Sequence, residues 1–293
     1  MKILEWLKVN TTTLVGKRVV ISGATGGIGR ELCSYVASLG GELVLLNRNI
    51  NKSMALASEL MRDYPDLAVS HLRADMSDMS SVIRAADRLS EMEIDYLILN
   101  AGAYSIPRHT CDTGYDNLFQ INFISPYYLA RRLLPLIEER GGKIVAVSSI
   151  AHNYSRIDEM DIDFSTRSRA SLVYGNAKRF LTYSLLALGS SAISIAHPGI
   201  SFTGITDHYP PLIFALIKHP MKIIFPHPRR ACLSILLGMF TDCNKKEWIG
   251  PALFDVWGRP KRKPLRTATD TEARRISEIA EEILEKLDKN SKK

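Results

Sequence analysis

The 293-residue sequence predicts an α/β fold: a doubly wound, mostly parallel sheet flanked by helices, in a single domain with a C-terminal helical extension. Three observations predict it. The β-branched run Val19-Val20-Ile21 passes through a loop with glycines at 23, 27 and 29 straight into Arg30–Ala37, which reads as a helix. A second apolar run, Glu42–Asn47, completes a βαβ unit of about thirty residues, the length a crossover requires. A later apolar run, Ile94–Leu99, closes on Asn100-Ala101-Gly102, and small residues there leave room for a ligand in the crevice of such a sheet.

The glycine loop comes first. Strand, glycine turn and helix start together present bare N–H groups and the positive end of a helix to an anion. Glycine serves where φ is positive and where a Cβ would hold a pyrophosphate off the backbone. The spacing is G-x-x-x-G-x-G, and Ser22, Gly23, Thr25, Gly27, Ile28 and Gly29 form the candidate cradle. The end of the second strand is where such a fold inspects the adenosine ribose. An acid there binds the 2′-hydroxyl, and an arginine accommodates a 2′-phosphate. Asn47 and Arg48 occupy these positions, so NADP(H) is the expected cofactor and NAD(H) the second choice; Arg48 as a plain surface cation is the bland alternative.

A helix around Met54–Met61 and a strand at Leu67–Leu72 follow, ending in Ala74-Asp75-Met76. Asp75 has two readings: acceptor for an adenine amino group, or cap of the next helix, Ser80–Leu89. A long helix from about Asp112 to Leu134 carries Asn122, and a further strand, Lys143–Val147, runs into Ser148-Ser149.

At this point the pattern resembles the short-chain dehydrogenase/reductase family over residues 15–205. The resemblance rests on Ser22-Gly23-x-x-x-Gly27-Ile28-Gly29, Asn100-Ala101-Gly102, Asn122, Ser149, Tyr174-x-x-x-Lys178 and Pro198-Gly199-x-x-x-Thr203, in that order. Ser149-Ile150-Ala151-His152 and the long gap to Tyr174 resemble the retinol-dehydrogenase-like branch. Two departures are mild: Ala177 stands where the family often has serine, and Ser22 replaces the commoner threonine. The resemblance implies a Rossmann-type domain and assigns roles. Tyr174 exchanges a proton with the substrate oxygen, and Ser149 hydrogen-bonds that oxygen. Lys178 holds the nicotinamide ribose, and Asn122 anchors a water on the path from Lys178 to solvent. Asp75, Met76, Asn100, Ala101, Gly102, Pro198, Gly199 and Thr203 line the cofactor, with Thr203 at the carboxamide.

The chemistry is legible in the residues themselves. Tyr174 and Lys178 are four apart and share a helix face. A phenol with a reference pKa of about 10 is a poor acid–base group near neutrality, and a neighbouring ammonium is expected to lower it. Bland readings stand beside each role: Ser149 as a strand-end cap, Asn122 as a buried polar group satisfied in its helix.

Composition adds limits. A 46% hydrophobic and 24% charged chain of this length is ordinary for a globular protein with a full core. Cys33, Cys111, Cys232 and Cys243 show neither a C-x-x-C pair nor metal spacing, which argues against a zinc site or disulfide framework and for a reducing, cytoplasmic setting. Net charge is +7, with Arg259, Lys261, Arg262, Lys263 and Arg266 clustered late; a solvated linker is the simpler reading, a membrane or anionic partner the other. No nucleic-acid partner is expected. The N-terminal stretch 1–8 is too short for a signal core or a span.

Residues 205–240 are apolar, with Tyr209–Ile217 and Met221–Pro226 as their richest runs. By resemblance this is a substrate lid within 204–240, suiting an apolar carbonyl or alcohol such as a retinoid, steroid or lipid. Peripheral membrane contact is the second reading, and core packing stays open for parts of it. Ile276, Ile279, Ile283, Leu284 and Leu287 recur at helical spacing behind Thr269-x-x-Glu272, a capping box, so the tail reads as an amphipathic helix packed on the domain. The expected division is an N-terminal segment 1–14, a dinucleotide and catalytic domain 15–260, and a basic linker with its helix, 261–293; a homo-oligomer is compatible with it. The expected activity is NADP(H)-dependent hydride transfer between nicotinamide and a carbonyl or alcohol. Its rivals are a non-catalytic dinucleotide sensor or scaffold and a double-bond reductase on the same fold.

Overall fold

Eight strands form one sheet: β1 (Arg18–Ser22), β2 (Glu42–Asn47), β3 (Val69–Arg73), β4 (Tyr96–Leu99), β5 (Lys143–Val147), β6 (Ile193–Ala196), β7 (Glu247–Leu253) and β8 (Trp257–Pro264). Their order is β3-β2-β1-β4-β5-β6-β7-β8, parallel throughout except for the antiparallel β7–β8 pair. The protein is seen as a computed structural model that describes residues 2–199, 226–243 and 246–291. Strands buried on both faces must be apolar on both. Val20, Leu97, Leu99, Ile144 and Ala146 face one layer, and Val19, Ile21, Ile98, Val145 and Val147 face the other.

One layer holds α4 (Met79–Ser90), α5 (Asn117–Phe119), α6 (Ser125–Glu139), α7 (Ala170–Ala187) and α10 (Asp270–Ser291). The other holds α1 (Ile3–Asn10), α2 (Gly27–Ser38), α3 (Ile50–Asp63), α8 (Pro228–Ala231) and α9 (Leu233–Phe240). The tail helix α10 packs as its periodicity predicts: Ile276, Ile279, Ile283, Leu284 and Leu287 are buried in the core, each stabilising by about 1.5–3 kcal/mol. Its register is fixed by Glu281, which accepts from Tyr127 Oη at 2.5 Å and from Arg131 at 2.9 Å.

Several boundaries move. Helix α2 starts at Gly27 rather than Arg30, because the loop glycines supply its first turn. Strand β3 starts at Val69, since the Leu67 N–H is spent on a turn to Tyr64 O. The helix expected from Asp112 begins at Asn117. Residues 110–116 instead close on themselves through a Thr110–Asp116 bridge, with Gly114 at φ +85°, and Asp116 caps the helix by accepting from Leu118 N–H.

That helix then widens into a π turn, Gln120–Ile124, before α6. The α-helical partner of the Asn122 carbonyl is residue 126, a proline, which has no N–H to give. Asn122 sits in that turn.

The basic run expected as a linker is not one. Residues 257–264 form β8, and the boundary expected at 260 cuts through it. Lysine, arginine and proline suit an exposed edge because they discourage further strands from adding. The expected lid also divides. Residues 204–225 and Thr203 lie outside the described residues, but Leu233–Met239 is a buried helix, with Gly238 against Val145, so that part is core and unavailable to a membrane. All four cysteines are buried free thiols. No described helix is long and apolar enough to cross a membrane.

Candidate active site

Strand order reverses around β1, so the crevice of this sheet opens at the carboxyl ends of β1 and β4. Its floor is stitched by Ser22 and Asn100. The buried Ser22 hydroxyl accepts from the Asn100 and Ala101 N–H groups, both at 3.0 Å, and Asn100 Nδ2 donates to Ser22 O at 3.0 Å and Gly23 O at 3.1 Å. Expected as ligand contacts, these two side chains are spent on shaping the loop.

The loop itself is a cradle only glycine can line. A Cβ on Gly23, at φ +66°, would lie 2.8 Å from Ala101 Cα, and one on Gly29 would lie 2.3 Å from Gly23 O. Helix α2 opens with Gly26 at its cap, no capping side chain and no acid in its first turn. Its first N–H groups and its positive end therefore face outward, with Gly27 and Ile28 at the opening. This donor set fits the pyrophosphate of a dinucleotide.

At the end of β2, Asn47 is buried. Its Oδ1 accepts from Thr25 N–H at 3.4 Å and its Nδ2 donates to Ser53 at 3.0 Å, so its side chain braces the loop rather than presenting to a ribose. Arg48 differs: its side chain is 74% exposed, and its Nε stands 4.0 Å from Asp75 Oδ2. That leaves a guanidinium free to turn toward a 2′-phosphate. Asp75 does not cap helix α4. Asp78 does, accepting from Ser81 N–H, while Asp75 accepts from the N–H and hydroxyl of Ser77. Met76 is buried, its carbonyl held by Ser125 Oγ at 2.7 Å.

The other wall comes from β5, the 3₁₀ segment Ile150–Tyr154 and α7. Ser149 precedes that segment and accepts from Ala151 N–H at 3.2 Å, so it is both a cap and a site residue. Tyr174 and Lys178 project from one face of α7, as their spacing predicts. Lys178 is buried, donates to Val147 O at 2.8 Å and lies 5.7 Å from the Tyr174 ring centre. Asn122 meets them from the π turn. A Cβ on Gly102 would lie 2.8 Å from Asn122 Oδ1 and 3.6 Å from Lys178 Nζ, so the missing side chain of Gly102 is the space where these groups converge. The Asn122 amide clamps Ala103, accepting from its N–H at 3.2 Å and donating to its carbonyl at 2.8 Å.

The electrostatics correct one expectation. Lys178 does not lower the tyrosine here. Burial pushes the phenol up to about 12, a shift the facing Ser149 hydroxyl partly offsets and Tyr104 adds to. Burial also pushes the lysine down to about 7, and a half-discharged amine bonded to a carbonyl is a weak lever on a phenol.

Pro198 and Gly199 lie at the end of β6. Gly199, at φ +78°, donates to His197 Nδ1 at 3.2 Å, and a Cβ there would lie 3.0 Å from Pro251. A cavity of about 590 Å³ opens beside Pro198, between Arg230, Trp257 and Arg259; neither Ser149, Tyr174 nor Lys178 lines it. The sequence reading missed Tyr104, which meets Tyr174 edge-on at 5.4 Å and belongs to no motif. It also missed Arg179, and it read Glu272 only as part of a capping box, not as the partner of Arg179 in an ion pair between residues far apart in the chain.

A profile of the family described as short chain dehydrogenase matches residues 17–159. Over this segment the chain is similar to the short-chain dehydrogenase/reductase family. A short chain dehydrogenase from Aspergillus nomiae is 33% identical over 202 residues, covering 62% of this chain and 55% of that one. Retinol dehydrogenase 12 from Mus musculus is 31% identical over 201 residues, covering 65% and 63%, and supports the branch to which the Ser149–His152 stretch points. The matches thus span 55% and 63% of those relatives' own lengths. The solved short-chain dehydrogenase from Sphingobium yanoikuyae in complex with NADPH shares the fold, at a TM-score of 0.57 and 24% identity over 76% of this chain and 84% of that one.

Proposed function

We propose that this protein is an NADP(H)-dependent oxidoreductase acting between the carbonyl and alcohol forms of an apolar substrate, with Tyr174 as the acid–base group. The observation that carries the reading is the Tyr174 phenol facing the Ser149 hydroxyl, with the buried Lys178 5.7 Å from the Tyr174 ring centre and meeting Asn122 at the space left by Gly102, at the end of the sheet that also carries the glycine cradle. The match of residues 17–159 to the short chain dehydrogenase family and a structural neighbour solved with NADPH support it.

Bound in the crevice, the nicotinamide supplies the hydride; this chain positions it and manages the proton. The glycine loop and the start of α2 would hold the pyrophosphate. Arg48 would meet the 2′-phosphate, and Gly102 with Pro198 and Gly199 would leave room for the nicotinamide ribose. Tyr174, held protonated by burial, gives its proton to a carbonyl oxygen in reduction and removes it from the alcohol in oxidation. Ser149 donates to the same oxygen, orienting it and stabilising developing charge. Lys178, with its pKa pushed down to about 7, exchanges protons readily near neutrality and can resupply the phenol. An apolar substrate is favoured by the rich apolar runs within 205–225, which lie outside the described residues.

The test is consumption of NADPH and of NADH by the purified full chain against a panel of apolar aldehydes, ketones and enones. Faster turnover of carbonyls with NADPH is expected. Tight NADPH binding with no turnover of any compound would make the protein a dinucleotide sensor, and preference for enones would make it a double-bond reductase.

A further inference from the structure

Among the described residues Arg179 is the largest fully buried side chain, and it follows Lys178 directly. A buried guanidinium is a poor stabiliser beside an apolar side chain of the same volume, so its bonds ask for another explanation. They run to two places. Nε and Nη2 grip the Glu272 carboxylate at 2.8 and 2.7 Å, in the first turn of α10. Nη1 and Nη2 donate to two backbone carbonyls, His152 O at 3.0 Å and Thr267 O at 2.6 Å. One side chain on the tyrosine helix therefore ties the C-terminal arm to the segment that follows Ser149.

A second path joins the same parts. The buried His152 ring places Nδ1 2.5 Å from the Ser149 carbonyl and Nε2 2.8 Å from Thr267 Oγ1. A carbonyl only accepts, so Nδ1 carries the hydrogen and Nε2 accepts from Thr267. Tyr183 Oη, also on α7, stands 2.5 Å from Thr267 Oγ1 and completes a directed chain: tyrosine to threonine, threonine to imidazole, imidazole to Ser149. Burial holds the imidazole at about 4, which keeps it neutral and keeps this tautomer in place. Close approach is required throughout: a Cβ on Gly175, next to Tyr174, would lie 2.5 Å from Ala151 O and 2.7 Å from Ser155 Oγ. Only glycine lets the Ser149 segment lie flat on the tyrosine helix.

We infer that residues 267–272 form a positioning arm that sets the Ser149 hydroxyl against Tyr174, acting through His152 and Arg179. The inference rests on the reading of Ser149 and Tyr174 given above. His152, Arg179, Thr267 and Glu272 touch no reacting atom; they fix where one sits. An arm present only for stability would need no hydrogen aimed at the Ser149 carbonyl.

The experiment compares Thr267→Val, Thr267→Ser and Glu272→Gln with the wild-type chain and with Tyr174→Phe. The valine variant keeps shape and removes the hydroxyl. It is expected to lower kcat for carbonyl reduction about 10-fold while leaving NADPH affinity unchanged, because sub-ångström misplacement of a catalytic group acts on turnover rather than on a remote cradle. Thr267→Ser is expected to match wild type, and Glu272→Gln to follow valine. Among the groups facing the phenol, Tyr104, Lys178 and Ser149, only Ser149 moves in Thr267→Val, so the pH profile should show the phenol titrating higher. Hydrogen exchange should quicken over residues 149–155 in Thr267→Val and Glu272→Gln, with the glycine loop unaffected. Unchanged kcat in Thr267→Val, equal losses in valine and serine variants, or no local quickening of exchange would each overturn the inference. Absence of turnover in the wild-type chain, or full activity in Tyr174→Phe, would instead overturn the proposed function.

Discussion

At the glycine loop the site is made of backbone. N–H groups at the start of α2 face outward, and the nearest side chains, Ser22, Asn47 and Asn100, are turned inward to hold the loop. Behind Tyr174 it is made of side chains. His152, Arg179, Tyr183, Thr267 and Glu272 are locked to one another across sequence separations of up to 115 residues. A backbone site needs a short run with the right small residues, and it tolerates exposure because its charge complement is the ligand. A side-chain site needs burial, complete pairing and a long closed chain, so one lost partner is felt at the chemistry.

That contrast can be broken at its strongest point first. Ser149→Ala removes the donor to the substrate oxygen and should cost about 10²–10³ in kcat with NADPH affinity unchanged. Comparable losses in both would mean Ser149 holds the loop and not the reaction.

The buried side also predicts a pH effect on stability. His152 is held at about 4 in the folded chain and titrates near its ordinary 6.5 when unfolded. Between those values the unfolded chain binds more protons, so stability falls as pH drops, by up to about 3 kcal/mol from this group. Urea unfolding across that range should show the slope in wild type and a flatter one in His152→Asn.

The backbone side predicts smaller, ligand-specific effects. Gly29→Ala places a methyl 2.3 Å from Gly23 O, and overpacking of about 1–3 kcal/mol should weaken NADPH and NADH alike, read by cofactor fluorescence titration. Arg48→Ala should weaken NADPH by about 10-fold and NADH hardly at all, because one charge-assisted contact to a phosphate is lost from an exposed side chain. Equal weakening of both cofactors would remove the 2′-phosphate argument.

The two regions also differ in how far they can be read from sequence. Strand β2 runs over Glu42–Asn47 as expected, and Tyr174 and Lys178 lie one turn apart, because apolar runs and helical spacing are local signals. The buried face of α10 was legible for the same reason. The basic run 259–263 was not. Charge suggests solvent, and an edge strand is both exposed and hydrogen-bonded on one side only. The π turn at Asn122 needed Pro126 to be read as a missing donor rather than a helix start. Arg179 reads as a surface cation until α10 folds over it. The tyrosine pKa was misjudged because burial, invisible in sequence, raises the phenol and also weakens the lysine charge expected to lower it.

The most direct measurement is NADPH-dependent carbonyl turnover by wild type and Tyr174→Phe, run beside cofactor binding on the same preparations. The expected result is equal NADPH affinity and a turnover about 10²–10⁴ lower in the variant, the range for losing a positioned acid–base group. Undiminished turnover without the phenol would contradict the account.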